Sequence, residues 1–524
     1  MSAQRAGGVM VAALVLGTSS VRSGGSSPLP PTQMFKEKRF FWVILVLVIV
    51  IYGQSLWGTF VYDDRGILEH WDLLSKLSNM FRTGLYPYWT VEAGLYRPIT
   101  LLSYTFNIVL LGGSALSFHL VNIFLYLGIS WSIYVFVKRL FGRSYFAILS
   151  ALIFLALPIH TEVVANITGR SELLALLFSL LAFMEVVKEK SNFWLVGLYS
   201  FLAIGSKESA IALLPLVFIL KRDFKIISAA GIGVAFYLFI RFFVLGINHF
   251  VGVETSEIDN PLMYVSASER IATALQVLWI YFSKTLVPLG LCSDYLYNQI
   301  EVAKEFFNLK TVLGGTVLLG AVISFFAFIR KHRAISLASA IFVASFLPVS
   351  NIFFATGTIA GERLFFFPSL GIALILAYVL SKRKPLVYIA FGLIIIFSIF
   401  ALQRQSVWLT EEKLFTNAAE CAPKSVSAQS NFGTVHYFKG DYKKAQETLE
   451  YSRSIKPVYG RGLNNLGLAY WKTGEIDKAI ASYHQALIQR VSYPGAIENL
   501  VLLYAGEKDY DSANRWLRLF NNPQ

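Results

Sequence analysis

Two adjacent carboxylates, Asp63 and Asp64, stand in the run Phe60-Val61-Tyr62-Asp63-Asp64-Arg65. Such a pair can supply one general base while its neighbour orients it, accepts from a donor or holds a cation. Five further groups could answer them with cationic or proton-bearing nitrogen: Arg97, His160, Arg170, Lys207 and Arg363. Several cationic donors converging in a dry site are what an anionic leaving group such as phosphate requires. Glu162, Glu172, Glu208 and Glu362 lie one or two residues from His160, Arg170, Lys207 and Arg363 and would support them. Singly these are weak signals, since a histidine beside Pro158 at a helix end is more often a cap than a ligand. Cys292 and Cys421 are far apart in sequence and form no framework and no metal-ligand spacing, so no metal site is assigned. The carboxylate pair leaves room for a divalent cation.

The elements that must position these groups lie in a bilayer. Hydrophobic residues make up 55% of the chain and charged ones 15%, where soluble proteins carry about 25% charged residues. The net charge of +14 falls in short basic clusters between apolar runs, the positive-inside pattern, which argues against a nucleic-acid partner. Apolar runs at 40–57, 118–137, 145–159, 173–187, 193–205, 210–220, 226–246, 312–329, 335–354, 364–380 and 387–402 predict about eleven crossings. The N-terminus then lies inside and the C-terminal region outside. Two apolar stretches fall outside this parity: Ile99–Leu111 is expected along the surface, and Ile271–Leu289 as a re-entrant or interfacial helix pair.

With this topology all eleven candidate polar residues gather on the non-cytoplasmic side, as a cavity open to that side would require. The hairpin around Ser206-Lys207-Glu208 is the sharpest case, because its arms of about 13 and 11 residues reach only roughly 16 to 20 Å into a core about 30 Å thick. A charge near mid-bilayer costs roughly 2.5–3.5 kcal/mol even on lenient scales, so Lys207 and Glu208 must line a wet cavity or pair.

Residues 1–33 are set apart. Met10–Gly17 is apolar, follows Arg5 and precedes a Ser/Gly/Pro-rich stretch, which resembles a signal peptide. A cleaved signal would leave the new N-terminus outside, whereas Lys36, Lys38 and Arg39 hold it inside, so Met34 is read as the start and 1–33 as unstructured. Asn166-Ile167-Thr168 is a glycosylation sequon on a very short loop and is read as unused.

At the other end the chain echoes itself. Gly433 and Gly467, Phe432 and Leu466, Gly440 and Gly474, and Ala445 and Ala479 are each 34 residues apart, and the register extends to Leu500, Tyr504, Tyr510 and Ala513. This is the period of the tetratricopeptide repeat, whose stacked helix pairs form a groove for polypeptide. Three repeats follow a half-repeat around Trp408, Phe415 and Pro423.

Seven short motifs, in order, carry a family resemblance: Tyr62-Asp63-Asp64, Tyr96-Arg97-Pro98, Phe118-His119-Leu120-Val121-Asn122, Pro158-Ile159-His160-Thr161-Glu162, Gly169-Arg170-Ser171-Glu172, Ser206-Lys207-Glu208 and Gly361-Glu362-Arg363-Leu364. From Phe40 to the C-terminus the chain resembles the transmembrane and tetratricopeptide-repeat O-mannosyltransferases and their prokaryotic relatives, of the GT-C glycosyltransferases. The resemblance implies an integral membrane enzyme that uses a polyprenyl-phosphate-linked sugar. It makes Asp63 the catalytic base with Asp64 beside it, and turns Arg97, Arg170, Lys207 and Arg363 toward the donor phosphate. His160 is grouped with them. The repeat array is much shorter than that of the animal members, so the sugar and the protein acceptor do not carry over with the same force.

The expected architecture is all-α: a GT-C-type polytopic domain over 34–403 and a short tetratricopeptide-repeat α-solenoid over 404–524. The expected activity moves a mannose-like sugar onto a hydroxyl of a polypeptide held by the repeats. It would take place on the non-cytoplasmic side of a prokaryotic cell membrane, or of the endoplasmic reticulum in a eukaryote. Two other classes compete with it. A non-catalytic envelope scaffold would show closed ion pairs and no cavity, and a lipid-linked sugar transporter would show charges lining a path on both sides and an internal repeat of spans.

Overall fold

A computed structural model describes residues 31–76, 95–250, 255–489 and 494–521. The described residues form helices joined by turns and loops and contain no strand. Residues 1–30 lie outside them, while 31–33, expected to be unstructured, open the first helix, Pro31–Tyr52.

Among the described residues, seven helices are long and apolar enough to cross a membrane: Glu37–Trp57, Ala115–Phe141, Ile167–Val186, Phe224–Gly246, Leu309–Phe328, Glu362–Leu380 and Lys384–Leu409. Ser144–Ala156 and Pro158–Ala165 make an eighth if taken as one span, bent by 55° where Pro158 interrupts the ladder. Phe193–Ser206, Glu208–Leu220 and Arg333–Val349 are shorter apolar helices. Side-chain caps begin several of the helices, with Ser114 accepting from the Ser117 N–H and Asn192 from the N–H groups of Trp194 and Leu195.

The helix Pro98–Leu111, within which the surface-lying stretch was expected, is inside out. Thr100, Thr105 and Asn107 are buried, while Phe106, Val109 and Leu110 are at least half exposed. Polar groups toward protein and apolar ones outward is the arrangement a lipid-facing helix adopts.

Residues 271–289 do not form a helix pair. They belong to one continuous helix, Ala267–Leu286, begun by a capping box in which Ser266 and Glu269 satisfy each other's backbone N–H. Near its start, Thr311 Oγ1 donates to the Ala272 carbonyl at 3.1 Å and the Ala303 N–H donates to Thr273 Oγ1 at 2.9 Å. Toward its end, the Gly361 N–H donates to the Tyr281 hydroxyl at 2.8 Å. The helix therefore links the beginnings of two later spans, which places both its ends at one side of the bundle.

The repeats form three helix pairs: Val426–Phe438 with Tyr442–Ile455, Gly460–Lys472 with Ile476–Gln489, and Pro494–Gly506 with Tyr510–Asn521. The helix Glu411–Cys421 precedes them. A boundary at 403/404 falls inside the helix Lys384–Gln405, and the chain beyond it packs on the membrane bundle rather than leaving it. Ala418, Ala422 and Ala428 belong to the main apolar core, the Val426 N–H donates to the Tyr297 carbonyl at 2.8 Å, and Ser425 Oγ donates to Asp294 at 2.7 Å. The two cysteines, unpaired in the sequence reading, form a disulfide, Cys292–Cys421, with Cα atoms 5.7 Å apart across a sequence separation of 129. Folding brings the loop after Ala267–Leu286 against the end of the helix Glu411–Cys421, a proximity no local spacing announces.

Candidate active site

Asp63 sits on a single 3-10 turn, Tyr62–Asp64, just after the first span. Tyr62 adopts φ 53, a left-handed conformation that a bulky side chain takes only when its surroundings hold it there. Those surroundings are visible: the Tyr62 ring meets Phe415 edge-on at 6.3 Å, Arg65 pairs with Glu411, and the Thr59 N–H donates to the Leu409 carbonyl at 3.0 Å. The half-repeat thus braces the turn that presents Asp63.

The two carboxylates have different environments. The Asp63 side chain is 40% exposed, and its Oδ2 accepts from Arg363 Nη1 at 2.8 Å. The Arg363 N–H donates to Glu162 at 3.1 Å, and its Nε lies 3.8 Å from the same carboxylate. Asp64 is fully buried and accepts three backbone N–H bonds, from Thr168 at 2.9 Å, Val61 at 3.2 Å and Ile167 at 3.3 Å. Burial pushes its carboxyl up to about 7, against the opposing pull of those three bonds. Asp64 therefore ties the Asp63 turn to the segment 167–168. With its oxygens so engaged, it cannot join Asp63 in clamping a cation, and the described residues contain no group of three His, Cys, Asp or Glu fit to hold a metal.

A second cluster adjoins the first. Lys207, nearly buried, is ion-paired with Glu172, and both Arg97 and Arg363 lie within electrostatic range of its ammonium. Arg97 Nε donates to Glu208 at 2.9 Å, and Arg241 approaches the same carboxylate at 3.7 Å. Tyr237 donates to the Tyr96 carbonyl at 2.7 Å and Thr100 to the Ser206 carbonyl at 2.8 Å, so the hairpin turn and the Arg97 segment are fastened together. Pairing within a short hairpin is one of the two outcomes that the cost of submerged charge allows.

Three expected residues turn inward instead. Arg170 is fully buried; its guanidinium donates to Asn122 Oδ1, Asn107 Oδ1 and the carbonyls of Phe118 and Ser103, and lies 5.1 Å from the ring centres of both Tyr104 and Phe118. Four of its five N–H groups are so used inside a fully buried site, where they pin the segments around Asn107, Phe118 and Asn122. His160 is spent likewise, with Nδ1 2.8 Å from the Tyr126 hydroxyl and Nε2 2.7 Å from the Ser369 hydroxyl. Glu362 is fully buried and accepts from the Cys292 N–H and the Tyr295 hydroxyl, each at 2.7 Å, and from Arg404 Nη2 at 2.9 Å. Arg170 and His160, grouped with the phosphate contacts in the sequence, are thus engaged with protein groups. Asn166 is buried as well, with its Oδ1 accepting from Thr168.

Arg241, Arg404 and Tyr295 were not singled out from the sequence. Arg241, inside an otherwise apolar run, carried the signal that submerged charge provides, whereas nothing local marks Tyr295. Two open grooves, of about 640 and 320 Å3, share Trp131 and include Lys38, Arg139 and Lys188, so they lie at the basic end of the bundle and touch none of these acidic clusters.

A polytopic helical bundle with an acid–base cluster at one end, roofed by tetratricopeptide repeats, is the class these features define. A tetratricopeptide-repeat family model matches residues 460–487. Across most of its length the chain is similar to three curated relatives. Protein O-mannosyl-transferase F38B6.6 of Caenorhabditis elegans is 27% identical over 80% of this chain and 63% of the relative. Protein O-mannosyl-transferase TMTC4 of Homo sapiens is 27% identical over 80% and 66%. Protein O-mannosyl-transferase TMTC3 of Homo sapiens is 24% identical over 85% and 54%. The homologues of this chain are thus protein O-mannosyl-transferases, and the chain spans somewhat less than two thirds of their length. It is a multi-pass membrane protein like the family its motifs resemble.

Proposed function

We propose that this protein transfers a mannose-like sugar from a polyprenyl phosphate to a hydroxyl of a polypeptide on the non-cytoplasmic side of the membrane. The observation that carries the reading is the partly exposed Asp63 carboxylate held 2.8 Å from Arg363, whose guanidinium lies in turn within electrostatic range of the Lys207 ammonium. The names of the homologues supply the sugar and the protein acceptor. Among the described residues Arg363 spends Nη1 and Nε on Asp63 and Glu162, which leaves its Nη2 edge for a phosphate oxygen. A donor phosphate that draws the guanidinium off Asp63 frees the carboxylate oxygen. Asp63 then takes the proton of the acceptor hydroxyl as that oxygen attacks the anomeric carbon with inversion, and the polyprenyl phosphate departs with its charge held by Arg363 and Lys207.

Two observations support the sidedness. The last span starts from the basic Lys382-Arg383-Lys384, and the Cys292–Cys421 disulfide beside the site belongs to an oxidising compartment. A cysteine at the exposed Lys472 should react with an impermeant thiol reagent from the non-cytoplasmic face, and labelling only from the cytoplasm refutes the orientation.

A non-catalytic scaffold is favoured by one observation, that Arg97, Lys207 and Arg363 each already have an acidic partner. Incubating the purified protein with a polyprenyl-phosphate mannose and an acceptor polypeptide decides between them. Transfer by wild type and none by Asp63→Asn supports the enzyme, and equal transfer by both removes Asp63 as the base.

A further inference from the structure

The end of the bundle away from the acid–base cluster holds a second arrangement of charge. There the Glu37–Lys138 ion pair ties the helix Pro31–Tyr52 to the helix Ala115–Phe141. Deeper in the bundle, Phe40 meets Tyr134 at 4.6 Å and the Phe41 ring stands edge-on to Trp131 at 5.4 Å. Trp131 is a wall common to the two grooves. The larger, of about 640 Å3, is lined by Glu37, Lys38, Phe41 and Trp42 besides Trp131. The other, of about 320 Å3, runs from Trp131 along Leu181 and Met184 and includes the exposed Arg139 and Lys188 and the buried Glu185.

The charges do not cancel. Glu37 is matched by Lys138 and Glu185 by Lys188, and Glu185 also accepts from the Asn192 N–H at 2.9 Å. Lys38 and Arg139 are left over: both are exposed, and among the described residues neither forms an ion pair, although Arg139 stands within electrostatic range of Glu185. They are the chain neighbours of Glu37 and Lys138, so the bond that joins those two brings Lys38 and Arg139 to one level of the bundle. From Lys138 to Trp131 the helix descends about 10 Å. Two surplus cations thus sit above aromatic and aliphatic walls, and a tryptophan divides the space beneath them.

We propose that the paired grooves seat one anionic diacyl phospholipid of the adjoining leaflet, with its phosphate at Lys38 and Arg139 and an acyl chain on either side of Trp131. A zwitterionic lipid would leave the surplus charge unmet, whereas a headgroup of net negative charge meets it. The tryptophan ring lies where its amphipathic body suits the boundary between headgroup and chains. Seated there, the lipid joins the first span to Ala115–Phe141 and, through the second groove, to Arg170–Val186 and Phe193–Ser206. Its binding should therefore stabilise the folded bundle by mass action. No sugar chemistry enters, so the site stands independently of the transferase reading.

Native mass spectrometry of the full-length protein in detergent, titrated with dioleoylphosphatidylglycerol or dioleoylphosphatidylcholine, compares two lipids that differ only in the headgroup. Wild type should bind the glycerol lipid at least about tenfold more tightly, and only that lipid should raise its Tm. Lys38→Gln/Arg139→Gln should bring the two affinities within about twofold of each other. Arg330→Gln/Lys331→Gln removes the same charge from a turn between two other spans and should keep the wild-type preference. Val135→Trp, which fills the smaller groove without changing charge, should weaken binding of the glycerol lipid several-fold. Equal affinities for the two lipids in wild type, or equal loss in the two charge variants, would reduce the effect to the general attraction of basic residues for anionic membranes and overturn the proposal. Unchanged binding by Val135→Trp would overturn the seating of a chain beside Trp131.

Discussion

Asp63 with Arg363 and Arg170 with its ring of acceptors are both charged sites at the same end of one bundle, yet they are built in opposite ways. The Asp63–Arg363 pair is half open, and one face of it is free to exchange partners. The Arg170 guanidinium is fully buried, with four of its five N–H groups bonded and aromatic rings beside it. Chemistry needs a group whose partner can change during turnover, whereas a fold needs one whose partners cannot. Substitutions should therefore act on turnover in the first region and on the amount of folded protein in the second.

The sharpest break in that comparison comes from the two adjacent carboxylates. Asp63→Asn should cut transfer by roughly 10²–10⁴-fold, the usual weight of a general base, with membrane expression unchanged. Asp64→Asn places an NH₂ group against buried N–H donors, and each donor left unsatisfied costs about 1–3 kcal/mol, so folded yield should fall first. Transfer and yield measured on both variants check this, and equal stability of the two would erase the distinction. A parallel contrast holds for the arginines. Arg363→Gln should raise the KM for donor at near-normal yield, and Arg170→Lys should lower yield with the KM of the remaining enzyme unchanged.

The brace between the domains comes next in size. Replacing both cysteines, Cys292→Ser/Cys421→Ser, should cost about 2–4 kcal/mol of stability. Cys292 also donates its N–H to Glu362, the residue before Arg363, so activity should decline together with thermal stability. Activity lost without any fall in melting temperature would mean that the disulfide acts on chemistry alone.

The pH dependence of stability tests the closed side again. Because the folded-state value of Asp64 is raised to about 7, the folded protein holds a proton that the unfolded chain has released between pH ~4 and ~7. Stability contributed at this position should thus decline as pH rises through that window and level off above it. The difference in melting temperature between wild type and Asp64→Asn should shift across pH 4.5–7, in the sense of wild type losing ground. A flat difference would show that the three N–H bonds outweigh burial.

The residues that sequence placed well are those where energetics leaves few choices. Lys207 and Glu208 had to pair or face water because their hairpin is short, and each is paired. The 34-residue period had to produce stacked helix pairs because no other arrangement repeats at that length. Sequence could not say which way a cation points, and so Arg170 and His160 were grouped with Arg363 although their side chains leave in another direction. Nor could it reveal Cys292–Cys421, since the pairing depends on a tertiary approach across more than a hundred residues. Residues 271–289 misled for a related reason, as apolarity alone does not separate one amphipathic helix from two short ones.

Within the repeats themselves a smaller comparison predicts the smallest effect. Gly440 and Gly474 end the first helices of their repeats with φ of 79 and 82, and the residue in the same register of the third repeat, Lys508, has φ 63. The backbone bonds match at all three turns: Asp441, Glu475 and Asp509 donate to the carbonyls of His436, Tyr470 and Tyr504, each five residues back. This is the closure in which a left-handed residue ends a helix, and glycine takes it without the steric cost borne by a side chain. Lys508→Gly should therefore raise stability, but glycine also gains freedom in the unfolded chain, so the net gain should be only about 0.5–1 kcal/mol. The reverse change, Gly474→Lys, should cost a similar amount or slightly more, because that turn lies between two packed repeats rather than at the last one. Thermal unfolding of both variants settles the matter: a lower melting temperature for Lys508→Gly would mean that the lysine side chain makes a contact worth more than the strain of its backbone.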